Sequence, residues 1–110
     1  MFAARVDAWV PALRTAMSHI DEALGVARQG SSGHLDELMR AVNGSIREAA
    51  TTPGVDALGG LGVRRILDAA ADHADEATKL LRNPYAIDDG VRELASTRFA
   101  VDLLLPYGPR

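Results

Sequence analysis

Residues 12–30 read ALRTAMSHIDEALGVARQG, and residues 66–84 read ILDAAADHADEATKLLRNP. Laid together without a gap, seven of the nineteen positions are identical, among them Leu13/Leu67, His19/His73, Glu22/Glu76 and Arg28/Arg82. Each segment closes on an amide residue followed by a helix breaker, Gln29-Gly30 in one and Asn83-Pro84 in the other. A second match follows each, in the same order: SIREAATT at 45–52 and GVRELAST at 90–97. Two helices in succession, stated twice, read as a duplicated helical hairpin. A pair of such hairpins closes into a four-helix bundle with approximate twofold symmetry. The expected fold is all-α, one domain over residues 1–110, with halves at about 1–54 and 55–105.

Apolar spacing supplies the individual helices. Val6, Val10, Leu13, Met17, Ile20, Leu24 and Ala27 recur at alternating steps of four and three, a heptad stripe predicting a helix over 3–28. Pro11 is expected to bend it or to mark a second start near Ala12. After Gly30-Ser31-Ser32-Gly33, Leu35, Met39, Val42, Ile46 and Ala49 form a second stripe. Asn43-Gly44 offers that helix an early end, and Ser45-Ile46-Arg47-Glu48 fits a capping box for a fresh start. One helix or two shorter ones are both open, and Thr51-Thr52-Pro53-Gly54 stops either. The third helix, over 63–82, turns Ile66, Leu67, Ala70, Ala74, Ala77 and Leu81 inward. A fourth starts near Asp89 and carries Val91, Leu94, Ala95 and Phe99. No segment alternates with period two, so no strand is expected.

Composition narrows the functions. Among 110 residues there is no cysteine, which removes disulfides, thiolate metal sites and cysteine nucleophiles. A net charge of −3 gives no general attraction to phosphate backbones or anionic lipid. Lys79 is the sole lysine beside eleven arginines, which with the abundant alanine and glycine reads as a GC-rich bacterial genome. No apolar run reaches spanning length, and Asp7 and Pro11 interrupt the N-terminal apolar segment a signal peptide would need. A cytoplasmic protein, with no membrane and no nucleic-acid partner, is expected.

All three histidines open the same tetrapeptide: His19-Ile20-Asp21-Glu22, His34-Leu35-Asp36-Glu37 and His73-Ala74-Asp75-Glu76. His19, Glu22, His73 and Glu76, with Glu48 and Glu93 at matched places in the second and fourth helices, make the ligand inventory of a di-iron carboxylate bundle. The order His-x-x-Glu reverses the one such bundles use. At about 100° per residue, Glu22 falls opposite its apolar stripe and Glu76 about 110° from the centre of its own. Solvated faces copied by duplication are the reading preferred over a metal site, so no cofactor is expected. His34 lies outside the repeat, and its Asp36-Glu37 suits a helix first turn.

Three further motifs carry alternatives. Residues 45–65, SIREAATTPGVDALGGLGVRR, hold a helix-turn-helix-like glycine at Gly54, and a DNA-binding regulator would present Arg47, Arg64 and Arg65 on one face. Gly59, Gly60 and Gly62 are poor material for the recognition helix that this needs. Gly60-Leu61-Gly62 before Arg64-Arg65 suits an anion at a helix N-terminus, but no strand precedes it and a connector is preferred. Tyr85-Ala86-Ile87-Asp88-Asp89 contains Tyr-x-x-x-Asp, which resembles the export signal of the WXG100 class of small secreted helical hairpins. That resemblance implies Tyr85 and Asp89 exposed on a helix. The Trp-x-Gly turn of that class is missing, and Trp9 stands near the start instead. The competing expectation is a turn in which Tyr85 packs and Asp89 caps the fourth helix.

No nucleophile–base set or phosphate loop occurs, so the chain is expected not to be an enzyme. The preferred function is a helical interaction module, a homodimer or the partner of another helical protein. Its expected contact surface is the apolar C-terminal segment, with Phe99, Leu103, Leu104, Leu105 and Tyr107. Val6-Asp7, Val55-Asp56 and Val101-Asp102 recur at similar spacing and leave open a longer repeat protein.

Overall fold

The computed structural model describes residues 9–29, 34–51 and 61–105. They form four helices: α1 (Trp9–Arg28), α2 (Leu35–Thr51), α3 (Leu61–Leu81) and α4 (Ile87–Leu104). No strand occurs among the described residues. α1 packs on α2 and α3 on α4, and the two hairpins join through α2 against α3 and α1 against α4. Asp36 meets Arg82 and Asn43 meets Thr78, so α2 and α3 run antiparallel. The chain is an all-α four-helix bundle of two hairpins.

The two stretches that suggested duplication bury the same positions. Leu13, Ala16, Ile20 and Ala23 in α1, and Leu67, Ala70, Ala74 and Ala77 in α3, are fully buried. Alanine at five of these eight sites lets the helices approach closely, while each fully buried leucine or isoleucine contributes about 1.5–3 kcal/mol. α2 adds Leu35, Leu38, Met39, Val42, Ile46 and Ala49. Trp9 is buried at the start of α1, and its indole nitrogen has no hydrogen-bond partner among the described residues.

Among the matched pairs that depart from the pattern, one joins the hairpins. Buried Leu24 of α1 corresponds to half-buried Thr78 of α3. The Thr78 hydroxyl donates to the Ala74 carbonyl at 2.8 Å and accepts the Asn43 side-chain amide at 2.9 Å. That amide also donates to the Met39 carbonyl at 2.9 Å. Asn43 therefore ties α2 to α3 instead of ending α2, which runs unbroken past Gly44 because Val42, Ile46 and Ala49 lie on one buried stripe. Pro11 causes no break either. It sits in the first turn of α1, where a backbone N–H has no acceptor within the helix, and its carbonyl accepts the Thr15 hydroxyl at 3.0 Å. The expected helix over 3–8 lies outside the described residues.

A third link crosses from α1 to α4, where the Arg98 guanidinium donates to Asp21 at 2.6 Å. That hydrogen bond, then the carboxylate's charge, pushes the Arg98 pKa above its usual value, so the guanidinium keeps its charge.

α4 differs from its expected form at both ends. It begins at Ile87 with Ala86 as N-cap, and no side chain caps it. Asp88 and Asp89 lie in the first turn, where the helix dipole favours them, but Asp89 is not the cap. Tyr85 does not pack: it is 98% exposed in the turn, and its N–H donates to the Asn83 side-chain oxygen. The buried stripe is Gly90, Leu94, Thr97, Ala100, Val101 and Leu104. Ala95 and Phe99, which the fourth helix carries with Leu94, are exposed. Leu104, expected on the contact surface, belongs to the protein's own core at 1% exposure.

Candidate docking groove between the third and fourth helices

Rotation of α4 about its axis builds the site. With Leu94, Val101 and Leu104 committed to the core, residues near half a turn away face outward, and these include Ala95, Phe99 and Leu103. Phe99 is 65% and Leu103 44% exposed; with Tyr85 they are the exposed large apolar residues among those described. Opposite them α3 presents Ile66 and Ala69. Between the two helices runs an open groove of about 590 Å³, floored by these residues and Ala100, with Arg65, Arg92 and His73 along it.

Gly90 sets how closely the walls approach. A methyl group there would lie 2.7 Å from Leu81 Cγ and 3.1 Å from the Leu81 backbone nitrogen. At the Arg92 end of the groove, His73 Nδ1 lies 3.1 Å from Glu93 Oε1 and 3.3 Å from Oε2, linking α3 to α4. Arg92 sits at the surface, its nearest Asp89 oxygen 3.9 Å away. Such an exposed pair at this distance holds the guanidinium weakly.

The first hairpin has no counterpart to Phe99 and Leu103 within α2. The match of 45–52 to 90–97 places Thr51 opposite Ser96, and α2 ends at Thr51 while α4 continues to Leu104. Both exposed apolar residues lie in the last two turns of α4, beyond the position matched to Thr51, the last described residue of α2.

The remaining expected site residues do not assemble. His19 is half-buried and its Nδ1 has no partner among the described residues. Glu22 stands 3.8 Å from His34 Nε2 instead, and Glu76 is exposed. His34 also approaches Glu37, at 3.4 Å. Of the di-iron inventory, His73 and Glu93 pair with each other, and no group of three metal-ligating side chains occurs among the described residues. α2 and α3 lie side by side and antiparallel, unlike the crossed pair of a helix-turn-helix, and Arg65 lines the groove. Tyr85 and Asp89 are both exposed, but Tyr85 stands on the turn and Asp89 on α4. Leu105 is half-buried, and Tyr107 lies outside the described residues. No described helix is long and apolar enough to cross a membrane.

The missed feature was the partition of α4 into two faces. Its signal was present in Leu94, Val101 and Leu104 at steps of seven and three, but glycine and threonine on the same face obscured it. No protein-family model matches the chain, and no curated protein or solved structure matches it.

Proposed function

We propose that the protein is a non-catalytic helical interaction module that receives a helix of a partner protein in the α3–α4 groove. One observation carries this reading. Phe99 and Leu103 stand exposed beside Ile66 and Ala69, on helices whose core positions are already filled. Full burial of such a side chain is worth about 1.5–3 kcal/mol, and with Phe99 65% and Leu103 44% exposed roughly half of that remains for a docked apolar face to recover. An elongated groove between two helices suits the helix-in-groove mode, with apolar anchors at helical spacing.

The test uses isotope-labelled full chain and a synthetic leucine-striped amphipathic helical peptide of zero net charge. Resonances of Ile66, Ala69, Ala95, Phe99 and Leu103 should shift on titration. Phe99→Ser with Leu103→Ser should remove the shifts and leave the melting temperature within a few degrees. Shifts confined to another face, or unchanged in the double variant, would refute the docking reading.

A further inference from the structure

Charge along the groove narrows the occupant. The ionisable lining residues are Arg65, Arg92 and His73, in a chain whose net charge is −3. His73 already faces Glu93, whereas the two arginines have no close carboxylate among the described residues: Arg92 reaches Asp89 only at 3.9 Å. The antiparallel pairing of His73 with Glu93 puts Arg92 roughly nine residues along α3 from Arg65, or about 13.5 Å at 1.5 Å per residue. The apolar floor lies between them. A basic group thus stands toward each end of an apolar trough about two and a half helical turns long.

A second copy of this chain is the first occupant to consider, and it fits poorly. Apart from Tyr85 on the end turn, the exposed large apolar residues among those described are Phe99 and Leu103. A second copy would have to offer the same patch, as a twofold interface requires. That would bring Arg65 and Arg92 against a second Arg65 and Arg92, and like charges across an interface oppose association.

Resting on the docking reading above, we infer that the groove takes an acidic amphipathic helix of a different protein, with carboxylates flanking an apolar stripe and spaced about eleven residues apart. Eleven residues make close to three full turns, so both carboxylates return to the face that carries the stripe, and the long side chains take up the ~3 Å by which their rise exceeds the separation of the arginines. Glutamate serves better than aspartate here, being the stronger helix former with the longer reach. Each arginine–carboxylate contact at this exposed rim adds little by itself, so the pair governs which helix is accepted and how salt affects binding more than it sets total affinity.

The experiment is a selection on the full-length chain. A displayed library of eighteen-residue helices would keep one leucine stripe fixed and vary two flanking positions, eleven apart, among Glu, Gln and Lys. Glutamate at both flanks should be enriched at least fivefold over glutamine, with the advantage shrinking as salt rises. Against Arg65→Glu with Arg92→Glu, the preference should invert to lysine; both side chains are exposed, so this variant should fold. Binding lost with Phe99→Ser but indifferent to flank charge overturns the acidic-helix inference and leaves the docking reading standing. So does a concentration-dependent dimer, seen by analytical ultracentrifugation, that Phe99→Ser disperses. A library with no binder for this face overturns both.

Discussion

Replacing Gly90 by alanine should destabilise this protein although alanine is the better helix former. Gly90 lies in the first turns of α4, where propensity alone returns up to about 1 kcal/mol on substitution. Against that, the new Cβ would stand 2.7 Å from Leu81 Cγ and Cδ2 and 3.1 Å from the Leu81 backbone nitrogen. Carbon atoms in contact rest about 3.5–4.0 Å apart, so the overlap approaches 1 Å. Leu81 is 5% exposed and cannot swing away, and its backbone nitrogen is fixed within α3. Overpacking of this kind costs about 1–3 kcal/mol, and contact with the fixed backbone nitrogen puts it toward the upper end, which leaves a net loss of up to about 2 kcal/mol after the propensity gain. Gly25 and Gly44 are the controls, for a Cβ at either meets nothing within 4 Å. Alanine there should stabilise by about 0.5–1 kcal/mol. Urea melts followed by circular dichroism measure all three variants. A Gly90→Ala protein as stable as the parent, alongside gains at Gly25 and Gly44, would refute the claim that close approach of α3 and α4 requires Gly90.

Leu104→Ala should cost about 2–5 kcal/mol in the same melts, whereas Phe99→Ala should stay within about 0.5–1 kcal/mol; equal losses would mean that α4 is rotated from the position described. Asn43→Ala and Thr78→Val, combined in a double-mutant cycle, should show coupling of about 0.5–1.5 kcal/mol, and additive effects would deny the bridge between hairpins. Asp21→Asn should change stability by less than about 1 kcal/mol, with the difference vanishing in high salt, because the Asp21–Arg98 pair is exposed; a loss that survives high salt would mean a buried link.

The class and pairing of the helices were legible because α1 and α3 carry their message in leucine, isoleucine and alanine. Leu13, Ile20, Leu67 and Ala74 sit at the predicted spacing and are buried there. α4 was harder because two of its core positions do not look like core. Gly90 is buried for lack of a side chain, and Thr97 is buried with its hydroxyl satisfied by the Glu93 carbonyl at 3.0 Å. With those two silent, Val91, Leu94, Ala95 and Phe99 formed the more obvious stripe, and it points between the core and the groove. Asn43 misled for a related reason. Asparagine and glycine in sequence signal a stop, and only the arrival of Thr78 from α3 gives that side chain a reason to stay within a continuous helix.

The groove is built on the last two turns of α4. The sequence match between the hairpins closes at Thr97, and α4 continues through Arg98, Phe99 and beyond as helix. Those added turns have an inner face, Ala100, Val101 and Leu104, that completes the core beside α3. Their outer face did not have to be apolar, since Asp102 on the same turns is exposed. Phe99 and Leu103 are therefore not explained by folding. Replacing both with serine should accordingly leave the bundle's stability within about 1 kcal/mol while abolishing peptide-induced shifts along Ile66 and Ala69. A large loss of stability in that variant would instead make the outer face part of the fold and remove the reason for assigning it to a partner.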